Sequence, residues 1–220
     1  MEVSEFEQLC IRWAEETLGV HVSPTREEDG HQNAVYKLQT NKGNYFLKIG
    51  KSLKNEYERL TWLAGKLPVP NILGFTQIDE RDVLFLSEVP GLSLAVLCKQ
   101  WPVEKVLSKF AKELHQFHDT DISSCPFGSS ITGKTLVHGD ATLPHFIFGG
   151  DEFSGCVDLG EVQIGNPEMD LSAAVWSLQY NLGPGHGLNF LREYGVKDPS
   201  EDYVEWLRMR YDDLEQAWEF

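Results

Sequence analysis

Two acidic motifs near the middle of the chain most constrain what it can fold into. The first, over residues 138–145, reads HGDATLPH, and the second, over residues 155–160, reads GCVDLG. Asp140 and Asp158 stand eighteen positions apart, each in a short apolar context that contains glycine. Short strands and turns are expected here, so the two carboxylates would lie on a loop and on a neighbouring hairpin.

This arrangement suits phosphoryl transfer, in which one carboxylate orients an acceptor hydroxyl and the other holds the metal that bridges the ATP phosphates. Protein kinases carry H-R-D-x-x-x-x-N followed by D-F-G. This chain instead reads H-G-D-x-x-x-x-H and D-L-G at those positions. Together with A-x-L-P and the apolar strand 146–148, the HGD resembles the aminoglycoside phosphotransferase family, nearest the aminoglycoside 3′-phosphotransferases.

The element pattern agrees with this resemblance. Helical spacing follows a capping box at Ser4–Glu7, and a period of two from Ala34 to Ile49 predicts a β-hairpin. Pro90-Gly91 is the best boundary signal. The resemblance implies an α+β, two-lobed, protein-kinase-like fold, with an antiparallel-sheet N-lobe over 1–90 and a mainly helical C-lobe over 91–220. Further helices are predicted over 54–65, from Pro102, and over 169–181, 187–194 and 200–218, and further strands over 72–78 and 83–88. For the last helix, Asp198 is the predicted cap and Pro199 the predicted first helical residue.

Composition and net charge limit the kinds of molecule that this chain is expected to bind. The 220 residues are 41% hydrophobic, which favours a globular protein, and the net charge is −15 with a pI near 4.8. Such a chain would be repelled by nucleic acid and by anionic membranes, and would attract a cationic small molecule. The charge could equally serve solubility alone. The four cysteines show no C-x-x-C spacing, and no leader or membrane-spanning run is expected, so we predict a cytoplasmic protein.

Lys48 lies on the second strand of the predicted hairpin, where an inward-facing ammonium is costly unless it meets an anion. An exposed strand lysine is the alternative. The following helix supplies Glu56 at a suitable distance, and the resemblance implies that Lys48 contacts the α- and β-phosphates and pairs with Glu56. Glu58, on the same helix, is expected to be a solvated bystander.

Two further segments are candidates for nucleotide binding. The stretch that contains Glu88 and Val89 before Pro90-Gly91 resembles the family hinge, whose backbone groups meet the adenine edge. Gly30 and His31 belong to the corresponding phosphate loop, although this loop holds one glycine and no G-x-G-x-x-G. A simple glycine turn between strands is an equal alternative for that loop.

The resemblance implies roles for the acids and histidines. Asp140 accepts or orients the proton of the acceptor hydroxyl, Asp158 is the chief metal ligand, and His138 is a structural loop residue. Asp170 would cap its helix and brace the catalytic loop. His145 departs from the family, which has a metal-binding asparagine there, and imidazole prefers softer metals than Mg²⁺. Four consequences stay open: one weakly held second ion, a preference for manganese, slow turnover, or a chain that is not an enzyme.

The resemblance to the family is less complete for the residues that would bind the acceptor. The resemblance implies acceptor contacts from Glu161, where relatives often carry arginine, and from the C-terminal Glu219 and Phe220. Relatives also insert a helical acceptor subdomain where this chain has only residues 128–135. We therefore expect an ATP-dependent phosphotransferase, with GTP as the alternative donor, that uses Mg²⁺ and a hydroxyl of a small cationic molecule. An aminoglycoside is the leading candidate for that molecule.

Two alternatives remain. One is a small-molecule kinase for another acceptor, such as an amino alcohol, a sugar derivative or another antibiotic. The other is a nucleotide-binding pseudo-kinase. A monomer or weak dimer is expected in either case.

Overall fold

The computed structural model describes residues 3–27, 33–128 and 134–218, with residues 212–218 described for their backbone only. The chain divides into two compact units. The first comprises residues 1–64 and 69–89, and the second comprises residues 65–68 and 90–220. The first unit holds an antiparallel sheet and the second is mainly helical. This content confirms the predicted α+β class.

The first unit is built on a five-stranded antiparallel sheet with the order β1-β2-β3-β5-β4. The predicted hairpin is present as β2 and β3, in which Thr40 pairs with Gly43 across the turn. Gly43 has φ +140°, which favours glycine over residues with a side chain. The elements of this unit are α1 (Glu5–Leu18), β1 (Ser23–Glu27), β2 (Ala34–Thr40), β3 (Gly43–Gly50), α2 (Lys54–Leu63), β4 (Ile72–Ile78) and β5 (Arg81–Ser87).

Helix α1 begins and ends where the sequence predicts. Ser4 Oγ accepts the backbone N–H of Glu7 at 3.2 Å, and Glu7 Oε2 accepts the backbone N–H of Ser4 at 2.9 Å. Gly19 ends the helix in the left-handed conformation. The apolar face of α1 contributes Cys10 to a core that also includes Tyr36 and the inward side chains of β3 and β5. Burying this face is what fixes the helix on the sheet.

The edge strand β1 was not predicted from the sequence. Its residues, Ser23–Glu27, are all exposed and include Pro24, so they show neither alternation nor high strand propensity. Among the described residues the strand pairs only with β2, and Pro24 can lie there because an edge strand does not need every N–H for the ladder. Strand β1 forms because it pairs with β2, and no local sequence pattern reveals that pairing.

The second unit packs four longer helices with short strands around one apolar core. Phe110 of α4 lies against Phe146 and Phe190, with ring centroids 4.9 and 5.3 Å apart. This packing holds the strand that follows the HGD motif. The elements are β6 (Leu92–Ser93), α3 (Leu94–Leu97), α4 (Val103–His118), β7 (Thr135–Val137), a 3-10 helix (Leu143–His145), β8 (Phe146–Gly149), β9 (Glu152–Cys156), β10 (Gln163–Gly165), α5 (Glu168–Leu182), α6 (Gly187–Tyr194) and α7 (Glu201–Trp218).

One predicted helix start is wrong. The sequence predicted Asp198 as a cap followed by Pro199 as the first helical residue, but α7 begins at Glu201. Ser200 Oγ accepts the backbone N–H of Tyr203 at 3.2 Å and so occupies the capping position. Asp198 has φ +47° and lies in the preceding turn. In the part of the chain that the structure describes, no helix is long and apolar enough to cross a membrane.

Candidate active site

The backbone of the HGD motif is held by one buried carboxylate. Asp170 Oδ2 accepts the N–H of His138 at 2.7 Å, and Asp170 Oδ1 accepts the N–H of Gly139 at 2.9 Å. The imidazole of His118 on α4 lies 2.8 Å from Asp170 Oδ2. The predicted bracing role of Asp170 agrees with these bonds, but the predicted cap is wrong. Asp170 lies inside α5, whose N-cap is Pro167, and it points to the loop instead.

Gly139 is required by space as well as by conformation. Its φ is +90°, and a Cβ at this position would approach the Cβ of Glu161 to 2.5 Å and its carbonyl oxygen to 2.8 Å. The motif therefore reads HGD, because the middle residue must leave room for the segment that follows the second motif. The same contact places Glu161, a predicted acceptor ligand with an exposed side chain, beside the loop.

His138 is fully buried and neutral. Its Nε2–H donates to the carbonyl of Val157 at 3.1 Å, and its Nδ1 faces the N–H of Asp140 at 3.4 Å, which assigns one proton to the ring. Burial lowers the pKa of His138 below its ordinary value of 6.5, and the imidazole of His145 lowers it further. The ring thus ties the first motif to the second, in agreement with the predicted structural role.

Asp140 follows directly and exposes 28% of its side chain. Its backbone carbonyl accepts Nδ1–H of His145 at 2.9 Å. Its carboxylate is reached by the hydroxyl of Tyr211, which donates to Oδ1 at 3.3 Å. Tyr211 was not among the predicted site residues. It lies 71 positions away on α7, and no local pattern connects a helical tyrosine to this loop.

His145 lies between the two acids. Its Nδ1 is 3.6 Å from Asp140 Oδ2, and its Nε2 is 3.6 Å from Asp158 Oδ2. Since a carbonyl can only accept, Nδ1 carries the hydrogen donated to the Asp140 carbonyl, and Nε2 is the nitrogen that faces Asp158. The ring also stacks parallel to that of His138, with centroids 5.7 Å apart. The structure thus brings Asp140, His145 and Asp158 together in the second unit.

Asp158 adopts the left-handed backbone conformation. Its φ is +60°, uncommon for a residue other than glycine, and 54% of its side chain is exposed. The preceding N–H of Val157 donates to the carbonyl of His145 at 3.0 Å, which fixes the two motifs to each other.

The chemistry of the donors can be tested against magnesium. The Asp158 carboxylate fits Mg²⁺, which is commonly held by one or two carboxylates together with substrate phosphates. The imidazole of His145 suits softer ions. Within residues 3–27, 33–128 and 134–218, no three His, Cys, Asp or Glu side chains form a metal-binding group by themselves. Bound phosphate would have to complete the coordination.

The first unit holds the lysine and glutamate expected for phosphate binding. Lys48 Nζ on β3 donates to both carboxylate oxygens of Glu56 on α2, at 2.7 and 2.9 Å. Their side chains are only 14% and 5% exposed, so the pair lies inside the unit. Helix α2 is positioned by Asp82, whose Oδ2 accepts the N–H groups of Leu53 and Lys54 at 2.9 and 3.1 Å. No local sequence signal predicts this cap, because Asp82 lies on β5, distant in the chain.

The remaining predicted nucleotide and acceptor residues divide into two groups. Glu88 accepts Asn44 Nδ2 at 3.0 Å and lies 3.2 Å from Lys37 Nζ, so its side chain ties the segment before Val89 to the hairpin. Such a side chain leaves only backbone groups of this segment for a ligand. Four other predicted site residues lie outside the described residues: Gly30, His31, Glu219 and Phe220.

Comparison with known proteins gives the context of this geometry. The model of the phosphotransferase enzyme family (APH) matches residues 25–132 and 131–210. An aminoglycoside 3′-phosphotransferase of Niallia circulans is 26% identical over 222 residues, covering 78% of this chain and 85% of that protein. The enzyme of the same name from Enterococcus faecalis is 35% identical over 114 residues, covering 46% of this chain and 41% of that protein.

Solved structures agree on the fold. An aminoglycoside-3′-phosphotransferase of type VIII superposes with a TM-score of 0.72 at 22% identity, over 90% of this chain and 97% of that one. A phosphotransferase from Streptomyces rimosus, solved with ADP and streptomycin, gives a TM-score of 0.71 at 16% identity, over 91% and 94%. These similarities confirm the predicted protein-kinase-like fold.

Proposed function

The chain belongs to the phosphotransferase enzyme family, and from this we propose that it transfers the γ-phosphate of ATP to a hydroxyl of a small cationic molecule, with an aminoglycoside the leading candidate. The observation that carries the proposal is the grouping of Asp140 and Asp158 around one imidazole, each 3.6 Å from a ring nitrogen of His145. One acid can serve the acceptor and the other the metal only if both stand this close.

Asp140 acts on the acceptor. The hydroxyl oxygen forms a bond to the γ-phosphorus while the bond from that phosphorus to the β,γ-bridging oxygen breaks. The hydroxyl proton passes to the carboxylate of Asp140, and ADP leaves with the bridging oxygen. The partial exposure of Asp140 supports this role, because the carboxylate must reach a ligand while its backbone stays fixed by Asp170.

Lys48 binds the α- and β-phosphates of the nucleotide. Its ammonium is held by a buried carboxylate, and this ion pair orients it. The backbone around Glu88 and Val89 takes the adenine edge, and Gly30 and His31 complete the phosphate loop. GTP is an alternative donor to be compared directly with ATP.

Asp158 would hold magnesium, and the bound ion would offset the negative charge of the phosphates. His145 adds a nitrogen beside that carboxylate and so makes the site more favourable for manganese than an oxygen donor would. The same nitrogen favours a second candidate function, a nucleotide-binding protein with little transfer activity, because Mg²⁺ gains little from an imidazole.

The acceptor is proposed to be cationic. Glu161 presents an exposed carboxylate beside Gly139, the chain carries a net charge of −15, and the relatives compared above are named for aminoglycosides. Glu219 and Phe220 would complete these contacts. Antibiotic resistance is the biological role that such an activity would supply. Four free cysteines support a cytoplasmic location, and a monomer or weak dimer is proposed for the assembly.

The test is an ADP-release assay over a panel of aminoglycosides, amino alcohols and sugars, with Mg²⁺ and then Mn²⁺. Acceptor-dependent ADP release, together with one phosphoryl group added to the acceptor by mass spectrometry, is expected for an aminoglycoside. Asp140→Asn should lower turnover by about 100-fold or more while nucleotide affinity stays within twofold. Release with a different acceptor class would correct the substrate. Nucleotide binding without release under either metal would favour the second candidate.

A further inference from the structure

Tyr211 of α7 contacts the carboxylate of Asp140. Its hydroxyl donates to Oδ1 at 3.3 Å, and the residue is 5% exposed. The phenol ring packs against Trp176 of α5, with ring centroids 5.0 Å apart. A buried phenol requires a hydrogen-bond partner, and this one reaches toward the loop that carries the acid.

The contact distinguishes the two oxygens of Asp140. Oδ1 accepts the hydrogen bond from the Tyr211 hydroxyl, while Oδ2 lies 3.6 Å from His145 Nδ1. The bonds from Asp170 to the loop fix the backbone of the motif but leave the side-chain torsion of Asp140 undetermined. A donor on Oδ1 removes this freedom and leaves Oδ2 for the acceptor hydroxyl.

We infer that Tyr211 is a positioning residue for phosphoryl transfer, which sets the orientation of the Asp140 carboxylate from a neighbouring helix. The inference rests on the proposed function, since it acts through Asp140. Its contribution is pre-organisation, because a carboxylate held near the productive geometry loses less freedom when the acceptor binds.

The experiment compares Tyr211→Phe with Tyr203→Phe. Tyr203 is a matched control, because it lies on the same helix and donates to another carboxylate, Glu168 Oε1, at the same 3.3 Å. Steady-state kinetics with ATP and the best acceptor should show that Tyr211→Phe lowers kcat about tenfold and leaves both KM values within twofold. Tyr203→Phe should leave kcat within twofold, and both variants should unfold at similar temperatures.

A double-mutant cycle tests whether Tyr211 acts through Asp140. In the Asp140→Asn background, Tyr211→Phe should lower the residual rate by less than twofold, because the group that it orients is already lost. A full tenfold loss in that background would overturn the inference in favour of a general packing role. Tyr211→Phe at wild-type kcat would also overturn it.

The two proposals fail in different ways. If wild-type protein releases no acceptor-dependent ADP under Mg²⁺ or Mn²⁺, the proposed function fails and the inference fails with it. If the wild type is active and Tyr211→Phe matches it, the inference alone fails.

Discussion

Asp170 Oδ1 accepts a 2.9 Å hydrogen bond from the backbone N–H of Gly139, although 31 residues separate the two in the chain. The other oxygen of the same carboxylate takes the N–H of His138 and the imidazole of His118. A fully buried acid therefore satisfies the backbone donors of the HGD loop and fixes this loop to α5.

We predict that Asp170→Asn loosens this loop. The amide nitrogen cannot accept, so one buried N–H loses its partner, at a cost of about 1–3 kcal/mol in the free energy of unfolding. Turnover should fall by about tenfold or more, because Asp140 directly follows the two residues, His138 and Gly139, that Asp170 holds. Urea unfolding and ADP-release kinetics measure the two effects. Asp202→Asn, an exposed acid in the first turn of α7, is the control and should change neither.

A second prediction concerns the ion pair between Lys48 and Glu56 in the first unit. Glu56→Gln removes the negative charge beside Lys48 Nζ and so weakens the ion pair that orients this lysine. We expect the KM for ATP to rise by about tenfold. Glu58→Gln is the matched control on the same helix, since Glu58 is 45% exposed and lies 3.8 Å from Lys54. Equal effects of the two substitutions would contradict the special role of Glu56.

Local sequence signals predicted those parts of the fold that depend on local chemistry. The capping box at Ser4, the hairpin around Gly43 and the boundaries of α5 within a residue follow from side-chain chemistry and from periodicity, which act over a few positions. Lys48, Asp140 and Asp158 were proposed as site residues because they lie in motifs that resemble those of the family, and their roles stay predictions.

What the sequence could not reveal depends on contacts between distant segments. Tyr211 and Asp82 act on residues 71 and 29 positions away, and no window of the sequence contains both partners. Strand β1 depends on pairing with β2 and has no pattern of its own. Asp198 was misread because an acid before proline imitates a helix start, whereas Ser200 makes the capping bond.

A third prediction separates the metal from the nucleotide. Asp158→Ala should weaken binding of Mg·ATP by about tenfold or more in calorimetry, because the phosphates keep their charge while an anionic metal ligand is lost. Binding of ATP in the presence of a chelator should change by less than twofold. Asp151→Ala removes a carboxylate from the β8–β9 turn and serves as the control. Unchanged Mg·ATP affinity in Asp158→Ala would remove Asp158 from the metal site.

A fourth prediction follows from the buried His138. Its pKa is lowered in the folded protein, so between that value and the ordinary 6.5 the unfolded chain binds a proton that the folded chain does not. The contribution of His138 to the free energy of unfolding should therefore be fully present above pH 6.5. It should fall as the pH drops below 6.5, by at most about 1.4 kcal/mol per pH unit.

Urea unfolding at several pH values measures this slope. His138→Gln should be less stable at neutral pH and should show a shallower loss below pH 6.5 than the wild type. His21→Gln, which replaces a histidine with a 90% exposed side chain, should keep the wild-type slope. Identical slopes in all three proteins would contradict the assignment of a neutral, buried His138.

The last prediction concerns His145, whose Nε2 faces Asp158 Oδ2 at 3.6 Å. His145→Asn replaces an imidazole with an amide oxygen, a harder donor that suits Mg²⁺. If the metal site limits turnover, Mg²⁺-supported activity should rise and any preference for manganese should decrease. The change also removes the bond from Nδ1 to the Asp140 carbonyl, so unfolding must be measured beside activity.

A weak acceptor site is the competing explanation for low activity, and ATP hydrolysis without acceptor distinguishes the two. A metal defect lowers this background rate and His145→Asn should restore it, whereas an acceptor defect leaves the background unaffected by the substitution. Titration of Mn²⁺ into the nucleotide complex gives an independent measure, in which His145→Asn should weaken binding of the softer ion. If His145→Asn folds normally but abolishes transfer, the imidazole itself is needed between Asp140 and Asp158, and its assignment as a metal ligand is wrong.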